Sequence, residues 1–199
     1  LPMTAFGALV WAGVARVARP LVAPANRMIV TVGGPTLGGS GRTPLALACT
    51  KAIAAHGARV AFVAHGYGRR IDAVRVVRPD DAFDASGDEA LLVARSLAKT
   101  CEGDPQRAVV VVGPSRQASV DFAATKADVL IVDGPPQLAP RRADLALLAV
   151  DDEEPWGAGR CPPRGDLRAH PSRFLEAVDA VVRIRDPLAA PNKGPDQFV

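Results

Sequence analysis

The sequence predicts an α/β fold in which a parallel sheet carries helices on both faces, with an amphipathic helix ahead of it. Three observations lead there. Short apolar runs rich in β-branched residues recur at Met28–Val32, Ala58–Ala64, Arg107–Gly113, Asp128–Gly134, Ala143–Asp151 and Ala177–Ile184. Segments of helical character lie between several of them. A glycine-rich stretch, TLGGSGRTP from Thr36 to Pro44, directly follows the first run. Runs that are apolar throughout, instead of alternating, belong to strands buried on both faces, and regular alternation with helices makes the sheet parallel.

The elements follow in order. Residues 1–24 read as a helix and linker. Phe6, Val10, Val14 and Val17 recur at helical spacing, Trp11 lies beside them, and Arg16 and Arg19 close the segment before Pro20 and Pro24. The apolar part is short for a bilayer span. No positive charge precedes it, so it does not suit a signal peptide. An apolar helix with a basic end and an interfacial Trp suits a membrane surface; a helix packed on the domain and a true anchor are the alternatives.

Residues 25–185 read as one domain. After its first strand and the glycine-rich loop, a helix is expected through about His56, with Pro44 in its first turn and Gly57 at its end. Further helices are expected over Gly87–Lys99, over Ser115–Thr125 and briefly from Pro171. HGYGRR, from His65 to Arg70, reads as a loop, and residues 186–199 as a frayed tail.

Composition narrows the function. The 199 residues are 48% hydrophobic, which argues against disorder. Three widely spaced cysteines fit neither a zinc pattern nor a disulfide framework, which points to a reducing compartment. Net charge is only +3, but Leu1–Ile71 holds eight basic residues and no acid. The rest carries sixteen basic and twenty-one acidic side chains, net −5. An acid-free stretch suits an anionic partner: phosphates, an anionic lipid surface or nucleic acid. Compositional drift in an Ala/Arg-rich chain would give the same pattern.

The loop supplies the chemistry. It nearly matches the P-loop pattern G-x-x-x-x-G-K-[ST], with Thr36 at the first Gly and Arg42 at the Lys. Its place between a buried strand and a helix is where a P-loop NTPase-like domain binds phosphate. Gly38, Gly39, Ser40 and Gly41 would turn backbone N–H groups toward an anion, and the helix N-terminus adds partial positive charge. Thr43 would offer its hydroxyl to Mg²⁺. Such a site also needs an acid at the end of another strand, and Asp133 has that position. Asp88 and Glu89 open a helix, and one of them could help bind metal while the other accepts a proton. These acids also suit plainer roles, at a helix N-terminus and before the turn at Gly134.

The ordered set VGGPTLGGSGRTPLALA, AHGYGRR, GDEALLVAR, VVVGPSRQAS, ADVLIVDGPPQ, WGAGRCPPRGDLR and VDAVVRI resembles the tetraacyldisaccharide 4′-kinases, from about residue 5 to about residue 185. The resemblance implies an ATP- and Mg²⁺-dependent transfer of phosphate to a lipid A precursor. It implies peripheral attachment to the cytoplasmic face of the inner membrane, an anionic glycolipid as partner and no nucleic acid. By position it makes Asp88 the catalytic base, Glu89 an acid near Mg²⁺, and Thr43 and Asp133 metal ligands. It accounts for Thr36, because that family's loop also opens with Thr. Four departures stand out: Arg42 for the Lys, Val132 for the first acid of an Asp pair, no His after DGPPQ, and His65 for an Arg. The family also has a further C-terminal region bearing a catalytic His, and this chain stops soon after Ile184. The expectation is therefore a lipid 4′-kinase homologue of impaired activity, the alternative being a non-catalytic relative that binds nucleotide or anionic lipid. A GTPase-like switch is disfavoured, since no N-K-x-D motif is present.

Overall fold

The computed structural model describes residues 20–64, 72–101, 103–134, 138–139 and 142–185. The expected N-terminal helix, the HGYGRR loop and the tail lie outside them. Nine strands and five helices are described: β1 (Leu21–Val22), β2 (Met28–Gly33), α1 (Arg42–Ala55), β3 (Val60–Val63), β4 (Arg75–Val77), α2 (Phe83–Ser86), α3 (Asp88–Thr100), β5 (Ala108–Val112), α4 (Arg116–Ala124), β6 (Val129–Asp133), β7 (Leu138–Ala139), β8 (Leu145–Asp151), α5 (Pro171–Leu175) and β9 (Ala180–Ile184).

Seven strands form the main sheet in the order β4-β5-β3-β6-β2-β8-β9. All its pairs are parallel except that of the edge strand β4 with β5. β4 and the one-turn helix α2 are additions to the sequence reading, since Arg75–Val77 is too short to show a period. β1 and β7 make a separate two-stranded parallel pair.

Each face of the sheet has its own core. On one, Ala46 and Ala54 of α1 and Ala90, Leu91, Val93 and Leu97 of α3 pack on Val30, Val32, Phe62 and Ile131. On the other, Val120 and Ala123 of α4 and Ala23 pack on Ile29, Val63, Val111 and Leu130. The side-chain alternation of strands divides β2 and β6 between the two cores.

This topology positions the site. From β2 the chain turns to β3 on one side, and β8 later joins β2 on the other. The order thus reverses around β2, and ligands of open α/β sheets bind at the carboxyl ends of strands flanking such a switch. Val32 of β2 is in register with Asp133 of β6, and Gly33 with Leu148 of β8. Asp133 therefore stands level with the start of the glycine-rich loop.

Candidate functional site

The loop 34–41 runs from the end of β2 to the start of α1. Gly39 and Gly41 adopt positive φ, 69° and 72°, and Gly41 is the N-cap of α1, with no side chain satisfying the helix's first N–H groups. Those donors are left for an anion. Thr36 is buried, and its hydroxyl donates to the Gly38 carbonyl at 2.6 Å. Ser40 is also buried, its Oγ filling the space where a side chain at residue 34 would sit. A Cβ added at Gly38 would meet nothing within 4 Å, so the mouth of the loop is open there.

Thr43, in the first turn of α1, is the centre of the site. Its hydroxyl lies against the Glu89 carboxylate and 2.9 Å from Asp133 Oδ2. One hydroxyl proton can serve one carboxylate at a time, so three oxygens converge with a single hydrogen among them. Asp133 is 1% exposed, and its Oδ1 has no hydrogen-bond partner. A buried carboxylate oxygen in that state needs a cation, and Arg42 Nε lies 3.5 Å from it. Among the described residues no three His, Cys, Asp or Glu side chains cluster as metal ligands. Thr43, Glu89 and Asp133 are hard oxygen donors of the kind magnesium takes, and it usually adds phosphate and water oxygens to complete its shell. The donor set fits.

The expected residues thus divide. Thr43, Glu89, Asp133 and Arg42 meet in one place, with the Gly38–Gly41 backbone beside them. Asp88, at the start of α3, is exposed, and its Oδ1 accepts the Glu89 N–H at 2.9 Å. Val132 points to the opposite face, fully buried in the core of Val63 and Val111.

Two arginines join the site without having been singled out from the sequence. Arg116 opens α4, and a Cβ at Gly134 would fall 2.2 Å from its Nη1, so its guanidinium lies over the end of β6. Arg168 reaches back to the loop, donating from Nε to the Thr36 carbonyl at 2.7 Å. Burial pushes the Arg116 guanidinium below its ordinary range; Asp133 opposes this, and the charges of Arg42 and Arg168 add to it. Arg168 is pushed down likewise, by burial and by Arg42, with Asp133 opposing. The charges of three guanidinium groups thus act on one buried carboxylate, an arrangement that an added anion would relieve. The helix start after β5 was a signal for Arg116. Arg168 lies in an irregular segment that carries none.

The loop also borders a cleft of about 340 Å³ lined by Thr36, Gly38, Gly39, Ser40, Asp151 and Asp166. Acids there repel phosphate and suit hydroxyl or amino donors.

Comparison with known proteins places the fold. The sequence profile of LpxK, tetraacyldisaccharide-1-P 4′-kinase, matches residues 4–197. The chain belongs to this family. The tetraacyldisaccharide 4′-kinase of Chromobacterium violaceum is 36% identical over 157 residues, 77% of this chain and 43% of the relative. That of Acidithiobacillus ferrooxidans is 35% identical over 177 residues, 85% of this chain and 50% of the relative. The chain spans about half the length of the curated LpxK relatives it matches. A crystal structure of LpxK from Aquifex aeolicus in complex with ATP has a similar fold, with a TM-score of 0.63 at 24% identity, covering 91% of this chain and 54% of that one.

Proposed function

We propose that this chain carries the nucleotide-binding part of a lipid A 4′-kinase, which transfers the γ-phosphate of ATP to the 4′-hydroxyl of a tetraacyldisaccharide 1-phosphate. The observation that carries the reading is the meeting of Thr43, Glu89 and Asp133 behind an anion-ready loop. The Gly38–Gly41 backbone and the α1 N-terminus cradle the phosphates, and Arg116 and Arg168 balance their charge. Thr43, Glu89 and Asp133 would hold Mg²⁺, which neutralises phosphate charge when bound. Asp88 is exposed at the start of α3 and free to accept the proton of the acceptor hydroxyl as its oxygen bonds to the γ-phosphorus and ADP departs. Peripheral attachment at the cytoplasmic face of the inner membrane, through residues 1–19, belongs to the same reading. Among the described residues no helix is long and apolar enough to cross a membrane.

Turnover by this chain alone is slow or absent. Arg42 is turned onto Asp133, 3.5 Å from Nε to Oδ1, and Val132 leaves no second acid at the end of β6. The Arg42 contact also favours the second reading, a relative that binds nucleotide without transferring phosphate. Transfer of labelled γ-phosphate to the disaccharide lipid, with and without Asp88→Asn, separates the two. Trace transfer abolished by Asp88→Asn supports an impaired kinase. Nucleotide binding with no transfer supports the second reading, and no binding at millimolar ATP rejects both.

A further inference from the structure

We propose that Arg42 is a resident cation at Asp133 which competes there with a divalent metal ion, so that this chain binds nucleotide largely without magnesium. The inference rests on the nucleotide-site reading above and adds the ion balance of that site.

Arg42 is folded back into the loop. A Cβ at Gly34 would fall 2.9 Å from both Cγ and Cδ of Arg42, so the stem lies across the base of the cradle. The side chain is only 25% exposed. This path brings Nε to Asp133 Oδ1, the buried oxygen that has no hydrogen-bond partner, while Oδ2 faces Thr43. The two oxygens of Asp133 are thus divided between a cation and a hydroxyl. A divalent ion arriving at Asp133 meets a fixed like charge at Oδ1, with Arg116 and Arg168 adding to the positive field.

The guanidinium suits this role better than an ammonium. Its donors form a planar fork, which can hold a carboxylate through one nitrogen and present the others to phosphate oxygens. A divalent ion held at Asp133 would supply positive charge between that carboxylate and a bound phosphate. Arg42 supplies it from within the chain.

The test is titration of the whole chain with a fluorescent ATP analogue, in chelator and in excess Mg²⁺, for the wild type, Arg42→Met and Arg42→Lys. Met keeps the stem over Gly34 and removes the charge. The expected result is a change below about threefold on adding Mg²⁺ for the wild type and a gain of at least about tenfold for Arg42→Met. Arg42→Lys, read in case the Met variant does not fold, gains by an intermediate factor. A wild type strengthened tenfold by Mg²⁺, or variants as insensitive as the wild type, overturns this inference and leaves the nucleotide site standing. Folded Arg42→Met that binds in neither condition also overturns it, since the metal then cannot take over from Arg42. Absence of binding by every protein, with native circular dichroism, rejects the nucleotide site and this inference together.

Discussion

Arg168 donates from its Nε to the carbonyl of Thr36 at 2.7 Å, joining residues 132 positions apart. The contact is one of a set. Arg168 N donates to the Pro35 carbonyl, Leu37 N donates to the Asp166 carbonyl, and Thr36 makes an isolated bridge with buried Leu167. The segment 166–168 therefore acts as a strap along residues 35–37 of the glycine-rich loop. Glycines give that loop its turns and leave it flexible, so something else must fix its shape.

Removing the strap's charged contact should loosen the loop. Hydrogen bonds to charged groups contribute about 1.5–3 kcal/mol each, and Arg168→Ala also leaves the Thr36 carbonyl without this donor. Nucleotide affinity is expected to fall roughly tenfold or more, with a stability loss in the lower part of that energy range. Titration with a fluorescent nucleotide and urea denaturation measure the two effects. Unchanged affinity would show that the loop keeps its shape alone.

Gly41 and Gly38 should differ sharply although they are three residues apart. A side chain at Gly41 faces a left-handed φ of 72° and an Ile184 side chain 2.7 Å from its Cβ. The backbone term costs about 1–2 kcal/mol, and crowding a packed contact adds about 1–3 kcal/mol. Gly38→Ala meets neither obstacle and should leave the urea midpoint within error. Equal midpoints for the two variants would refute the packing of Ile184 on the loop.

The contrast explains what was legible beforehand. β2, β3, β5, β6 and β8 were readable because each is buried on both faces and apolar along its length. The loop was readable because backbone geometry demands glycine at fixed places. Asp133 and Glu89 were readable because an acid after an apolar strand or at a helix start stands out. Arg116 showed only as a helix start and Arg168 not at all, because their roles come from contacts across the fold. Gly134 makes room for one, and the Thr36 carbonyl receives the other. β4 was hidden for a similar reason: three residues at a sheet edge leave no periodic trace, and their pairing with β5 is purely tertiary.

That edge is held by Asp81, which gives a pH prediction. Its carboxylate accepts the Arg78 N–H at 2.9 Å and the Ser86 hydroxyl at 3.3 Å, and it pairs with Arg75 of β4. Burial alone would push its carboxyl up, but these three partners outweigh burial and hold it below the usual range. A depressed carboxylate stabilises the fold above its unfolded value, about 3.9, and loses that contribution as pH falls through the folded value. Wild type should exceed Asp81→Asn by about 1 kcal/mol at neutral pH, a modest figure because the group is partly solvated. The gap should close below about pH 4 in urea titrations. A gap that stays constant down to strong acid would mean that the Asp81 charge does not anchor β4.

Thr43 gives the last prediction, since it joins the two acids that the site depends on. Thr43→Val keeps the shape and removes the hydroxyl. Asp133 Oδ2, in a buried pocket, and Glu89 then lose the one hydroxyl they share. Leaving a buried acceptor unpaired costs about 1–3 kcal/mol. Thr43→Ser retains the hydroxyl and should lose less than half as much. The acids and the hydroxyl form one unit, so the losses should not add. Once Asp133→Asn has removed the charge that Thr43 faces, Thr43→Val should cost clearly less than in the wild type, by about 0.5–3 kcal/mol of coupling. Urea denaturation of the four proteins in that cycle, without nucleotide, measures it. A coupling near zero would mean that Thr43 and Asp133 are merely neighbours, and the case for a metal-ready cluster at the foot of the glycine-rich loop would fall with it.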